Sequence, residues 1–244
     1  MPHTPTLLRE MLSLRNEEDA RGLMRFFKTE PGAYGAGDQF LGIRVPKTRE
    51  TVRRLWQQMT MEDLEVCIQS PWHEVRLAAL LTLIQIFKHA RKLPDKQKAC
   101  IDFYLSHTDH INNWDLVDLS CYELLGTWLL DKDRTLLYDL ARNGRTIWEQ
   151  RIGIVSTMQF LRHGETSDTY AIADILLHYP SDERYDSHDL IQKAVGWLLR
   201  EAGKRDETQL LTYLDTRHAI MPRTTLRYAI ERLPEQQRQQ YLRK

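Results

Sequence analysis

Apolar residues recur along this chain at intervals of three and four, the spacing that places side chains on one face of an α-helix. Leu77, Leu80, Leu81, Ile84 and Phe87 form one such stripe. Ile152, Val155, Met158 and Leu161 form a second, and Leu190, Ala194, Trp197 and Leu198 a third. Runs of Val, Ile and Thr in strict alternation, the mark of a half-buried strand, are missing. Pro71, Pro94, the Asn143–Gly144 pair, Gly164, Pro180, Pro222 and Pro234 interrupt the pattern. They predict short connections, because proline removes a backbone donor and glycine tolerates the turn that ends a helix. The chain therefore reads as all-α, with helices of roughly ten to eighteen residues packed as antiparallel neighbours rather than one long coiled coil.

The more apolar helices open on cations: Arg76, Arg151, Lys193 and Arg227. These lie 75, 42 and 34 positions apart, close to two periods, one and one of the ~40–47-residue repeat of two-helix solenoids. The expectation is a single HEAT-like α-solenoid domain spanning residues 1–244, whose concave face collects the same slot of each repeat. A cationic slot would give the basic stripe that a phosphate backbone requires; the plainer reading is a set of solvated helix faces. Almost midway between Arg76 and Arg151, the segment Asn112-Asn113-Trp114-Asp115-Leu116-Val117-Asp118 offers two carboxylates and a tryptophan instead.

Between two helical stretches, the segment from Phe26 to Pro46 carries Gly32, Gly35, Gly37 and Gly42 along with Pro31 and Pro46. No strand precedes it, so it is not the glycine-rich turn of a nucleotide fold. Pro46 is expected in the first turn of the next helix, with Lys47, Arg49, Arg53 and Arg54 on or near it.

Composition narrows the class without naming a function. Lys plus Arg and Asp plus Glu both number 34, so the net charge is zero. That balance does not advertise a nucleic-acid binder, yet it can hide a basic stripe on one face. No stretch approaches the ~18 apolar residues of a membrane span, and no signal peptide is visible, so a cytoplasmic location is expected. Cys67, Cys100 and Cys121 are odd in number and far apart, which predicts reduced thiols rather than a disulfide frame or a zinc site. The histidines form no HxxxH or HExxH pair, so no metal and no cofactor is expected. His107 and His110 are placed at a helix end, and Trp56, Trp72 and Trp128 are taken as packing residues.

Four segments together carry a resemblance. They are Phe27-Lys28 through Tyr34 continuing into Phe40-Leu41-Gly42-Ile43-Arg44-Val45-Pro46 and Arg49; Trp114-Asp115-Leu116-Val117-Asp118; Trp148–Arg151; and Ile191–Glu201. In order and approximate spacing this set is similar to the AlkD-like DNA alkylation repair proteins, over roughly Leu7 to Arg232. The resemblance implies a HEAT-like solenoid that grips duplex DNA. It also implies a monofunctional glycosylase that releases cationic N3- and N7-alkylpurines, and that cleaves with the base left largely in the stack. The family's functional positions fall on Trp114, Asp118, Arg151 and Trp197.

These residue types suit that chemistry. An N3- or N7-alkylated purine already carries a positive charge and leaves without general-acid help. The enzyme must stabilise the sugar, which becomes oxocarbenium-like as the glycosidic bond stretches. One aimed carboxylate supplies that stabilisation and can orient the attacking water. Trp114 and Asp118 stand four apart and share a helical face. Asp115 is the rival acid, or else a helix N-terminal acid favoured by the dipole; spacing leaves both open, and the resemblance points to Asp118. Tryptophan at helical spacing is more often core, but Trp114 and Trp197 could flank the deoxyribose or the cationic base. Arg151 is expected to bond a phosphate beside the lesion. Arg76, Lys193 and Arg227 would extend the stripe, and Lys47 and Tyr34 would add DNA contacts from the N-terminal side. The expected partner is double-stranded DNA carrying alkylated purines, bound by a monomer. The alternatives are a non-catalytic protein of this fold that binds damaged or branched DNA, and a helical scaffold for protein partners. The first should have lost the Trp114–Asp118 pair, and both residues are present.

Overall fold

The computed structural model describes residues 3–178 and 188–243; the expected break at Pro180 lies outside the described residues. Helices account for every regular element among them, and an isolated parallel bridge joins Gln39 to Trp72. The all-α, helical-repeat expectation holds. The chain divides into two compact units, Met1–Ser120 and Cys121–Lys244.

The first unit contains α1 (Thr6–Ser13), α2 (Glu17–Phe26), α3 (Val45–Leu55), α4 (Met61–Ile68), α5 (His73–His89), α6 (Pro94–Ser106) and α7 (Trp114–Asp118). The centre is α5, against which α1, α3, α4 and α6 pack. Its predicted stripe from Leu77 to Phe87 is buried, and so are Val75, Ala78, Ala79 and Leu83, so this helix is enclosed on most sides. Local signals set the boundaries. Asn16 caps α2 by accepting from the Glu18 and Asp19 N–H groups at 3.1 and 3.2 Å. Thr60 and Asp63 close a capping box on α4. Pro46 and Pro94 occupy the first turns of α3 and α6, where a missing N–H costs nothing. His107 and His110 follow the end of α6, as expected.

The second unit contains α8 (Thr135–Asn143), α9 (Ile147–Val155), α10 (Met158–Arg162), α11 (Ser167–Leu176), α12 (Asp189–Gly203), α13 (Glu207–Arg217), α14 (Arg223–Ala229) and α15 (Glu235–Leu242). Gly144 ends α8, Gly164 follows α10, and Pro222 and Pro234 cap α14 and α15. The stripe from Ile152 to Leu161 is buried but interrupted between α9 and α10. Helices α12 and α14 pack closely. A Cβ at Gly196 would lie 2.5 Å from both the Thr225 carbonyl oxygen and the Tyr228 Cβ, so only glycine lets the two helices approach this closely.

All three cysteines are buried and none forms a disulfide. Burial pushes the Cys67 thiol up to about 12, reinforced by Asp63, and the Cys100 thiol up to about 11, so neither is a thiolate at neutral pH. No helix among the described residues is long and apolar enough to cross a membrane.

The loop from Phe27 to Arg44 is held at its far end by one carboxylate. Glu74, buried in the first turn of α5, accepts from the N–H groups of Leu41 and Gly42 at 2.8 Å each and of Ile43 at 3.0 Å. Gly42 sits at φ +86°, and a Cβ there would lie 2.0 Å from the Asn16 carbonyl oxygen. Gly42→Ala is therefore expected to cost about 2–4 kcal/mol, through strain and the collision together. Denaturant unfolding checks this: a lowered midpoint is expected, and a loss below about 0.5 kcal/mol would contradict the packing described.

Candidate functional site

Helix α7 has only five residues, too short to persist on its own hydrogen bonds. Leu116 and Val117 anchor it by full burial, and α7 packs on α5. Its polar side chains are tied just as firmly. Asp115 is buried; Oδ1 accepts from the Leu116 N–H at 2.9 Å and Oδ2 from His73 Nε2 at 2.9 Å. The other ring nitrogen, His73 Nδ1, donates to Asp38 Oδ2 at 3.0 Å. Asp38 also takes Arg76 Nη2 at 2.5 Å and Asn113 Nδ2 at 3.4 Å. Arg76 completes its bonding with the carbonyls of Ser70 and Pro71 at 3.0 and 3.2 Å and with Asn112 Oδ1 at 3.0 Å.

A neutral imidazole has one N–H, so it can satisfy only one of two facing carboxylates. The imidazolium satisfies both. Burial opposes the charge on His73, but Asp115 and Asp38 outweigh it and raise its pKa from 6.5 to about 9. Burial likewise pushes Asp38 up, and His73 and Arg76 more than offset it, holding that carboxyl below its usual 3.8.

A cleft of about 540 Å³ opens over this network. Trp114 and Asp118, from the two ends of α7, line it together, with Phe26, Phe27, Phe40 and His73 on the other walls. The aromatic rings form a continuous stack. Trp114 lies on Phe27 at 5.4 Å, Phe27 on Phe40 at 5.0 Å, and Phe40 on His73 at 4.5 Å. Phe26 meets Trp114 edge-on at 6.0 Å, and its side is 63% exposed. Both acids line this cleft, Asp118 half-buried and Asp115 buried with its carboxylate bonded to His73. The two acids of one turn are thus in different environments, a distinction that spacing could not draw.

The remaining predicted residues of the first unit fall unevenly. Lys47 is exposed on α3 and bridges to Glu50 at 3.0 Å. Tyr34 is half-buried, with its hydroxyl donating to the Phe26 carbonyl at 3.5 Å and its ring 5.9 Å from Lys28 Nζ. Arg76 departs from expectation. It is only 4% exposed, and its guanidinium is held by Asp38, Asn112 and two carbonyls, so it is an internal tie rather than part of a cationic surface. Sequence reasoning also passed over Asp38, His73 and Glu74. The available signal was the pair His73-Glu74 opening an otherwise apolar helix, since charge in a buried first turn needs a distant partner.

In the second unit, Arg151 on α9 is 5% exposed and its Nη1 donates to the Leu190 carbonyl at 2.5 Å. Lys193, half-buried on α12, pairs with Asp189 at 2.6 Å, so both cations converge on the first turn of that helix. Trp197 is half-buried on α12, and Arg227 is exposed on α14. Among the described residues no group of three His, Cys, Asp or Glu side chains is placed to hold a metal.

The bridge makes stability depend on alkaline pH. Because folding raises the His73 pKa, its contribution is complete below about 6.5 and is lost as pH rises through about 9. The shift corresponds to something on the order of 3 kcal/mol. Thermal melts of the wild type should lose stability between those pH values, and His73→Gln should show a lower but flatter profile. Parallel profiles for the two proteins would contradict a charged bridge.

No curated protein sequence matches the chain. A solved structure described as a predicted DNA alkylation repair enzyme from Enterococcus faecalis shares its fold, with a TM-score of 0.66 at 16% identity over 91% of this chain and 97% of that one. The family model for DNA alkylation repair enzymes matches residues 7–233. On that match, which takes in both units and the whole of the cleft, the chain belongs to the DNA alkylation repair enzyme family.

Proposed function

We propose that the protein is a DNA glycosylase that hydrolyses the N-glycosidic bond of cationic N3- and N7-alkylpurines in duplex DNA. The observation that carries this reading is the division between the two acids of α7. Both acids line the cleft, but Asp115 is buried with its carboxylate held by His73, while Asp118 is half-buried there beside Trp114. Membership of the repair family supplies the substrate class from which the lesion is drawn.

The reaction needs little from the protein beyond placed charge. The alkylated purine departs as a neutral base, taking the electron pair of the C1′–N bond. Asp118 stabilises the positive charge that grows on the sugar and orients the water that adds to C1′. The face of Trp114 adds cation–π attraction to the same centre, a term of ~0.5–2 kcal/mol. Trp197 is the second aromatic in this reading. Lys193, Arg227 and Lys47 supply charge-assisted phosphate contacts and Tyr34 adds one from the N-terminal loop, while Arg151, buried with Nη1 on the Leu190 carbonyl, would need to turn a second donor outward to reach a phosphate. Arg76 is left out, since it is buried and both of its terminal nitrogens are already engaged. The protein acts as a monomer, without metal or cofactor.

Incubation with methylated duplex DNA, followed by quantification of released 7-methylguanine and 3-methyladenine, tests the proposal. Asp118→Asn removes the charge and keeps the shape, so release should fall by about 10²–10³ while DNA binding persists. Full activity in that variant would move the role elsewhere. Binding without release by the wild type would instead favour a non-catalytic protein for damaged or branched DNA.

A further inference from the structure

The reacting pair sits on a helix of five residues, and a glycosylase of this kind needs its carboxylate and its aromatic face aimed at one carbon. Burial of Leu116 and Val117 holds the helix to the core. Three polar side chains at its entrance add directional ties. Asn112 is held by Arg76, Asn113 by Asp38, and Asp115 by His73. All three ties converge on Asp38 and α5, and none uses Trp114 or Asp118.

We propose that His73, supported by Arg76, is a positioning residue for base release: it locks the start of α7 so that Trp114 and Asp118 face the cleft together. This inference rests on the reading above that Asp118 acts on the sugar. His73 does not enter the chemistry, because both of its ring nitrogens are committed to carboxylates. Its effect passes through Asp115, which is one residue from Trp114 and three from Asp118. The aromatic stack adds a second route, since His73 underlies Phe40, which supports Phe27, on which Trp114 rests.

The titratable and charged groups around His73 are few. Asp38 faces it from the loop before α3, Asp115 from α7, and Arg76 reaches it through Asp38 from its own helix. Phe27, at the end of α2, and Phe40 supply the remaining walls. Its neighbour Glu74 is turned away, onto the amides of Leu41, Gly42 and Ile43. Loss of the His73 proton therefore breaks one of the two ties; Asp38 would keep Arg76 and Asn113, and Asp115 the Leu116 N–H.

The test follows single-turnover release from a duplex carrying one 7-methylguanine, using the full chain, from about pH 6 to about pH 10. His73→Gln is expected to lower the rate roughly tenfold to a hundredfold, since a small misplacement of reacting groups has that effect. Affinity for lesion-free duplex should change by less than about threefold, which separates positioning from binding. The wild-type rate should decline along a limb near pH 9 that the variant lacks. The indole N–H resonance of Trp114, assigned by its loss in Trp114→Phe, should move over the same pH range in the wild type and stay fixed in the variant.

A folded His73→Gln protein with wild-type rate and pH profile would overturn the proposal. Should that variant fail to fold, Asn112→Ala removes only the tie to Arg76; a rate lowered a few-fold supports the lock, and an unchanged rate overturns it. If the wild type releases no base, the glycosylase reading fails and the indole resonance decides alone. Its titration in the wild type then supports the lock on Trp114, and its indifference to pH overturns it.

Discussion

Asp38 and Asp115 come from segments far apart in the chain and meet in the interior of the first unit because His73 stands between them. Two carboxylates facing one buried point repel each other and lose their hydration. A protonated imidazole answers both costs at once, giving each carboxylate a charge-assisted hydrogen bond. Arg76 then satisfies the second oxygen of Asp38 and extends the same network to Asn112. The short helix α7, the floor of the aromatic cleft and the placement of Asp118 all follow from this arrangement. Removing any one charge leaves another buried and uncompensated, so the network is cooperative in its failure as well as in its formation.

The fold was legible because helical periodicity and punctuation are local signals. The stripe from Leu77 to Phe87 is buried on α5, and Pro46, Pro94, Pro222 and Pro234 stand where helices begin. The site was legible only in part. A tryptophan and an acid four residues apart on α7 do share one cleft. Spacing treats Asp115 and Asp118 alike; their surroundings differ through the contact of Asp115 with His73 across 42 positions. The same blindness misled at Arg76, where a cation opening a helix looked like surface charge. Its partner Asp38 lies 38 residues away, in a loop whose conformation no periodicity describes.

Glycine and glutamate at the end of that loop show why irregular segments resist such reading. Gly42 passes its backbone against Asn16, and Glu74 gathers the three amides that result. Neither residue is unusual in type or spacing. Together they fix Phe40 over His73, so the loop is a structural part of the cleft wall rather than a mere connection. In the second unit the comparable economy lies at the start of α12, where Arg151 and Lys193 meet the first turn and Trp197 follows one turn later.

The claim on which this account turns is that His73 is an imidazolium inside the folded protein at neutral pH. Nitrogen-15 spectra of a histidine-labelled sample, with His73 assigned by its absence in His73→Gln, measure this directly. Both ring nitrogens are expected to carry protons and to keep them until the pH approaches about 9. A single protonated nitrogen at neutral pH would mean a neutral ring and one carboxylate without its imidazole donor, and would contradict the charged bridge on which the site is built.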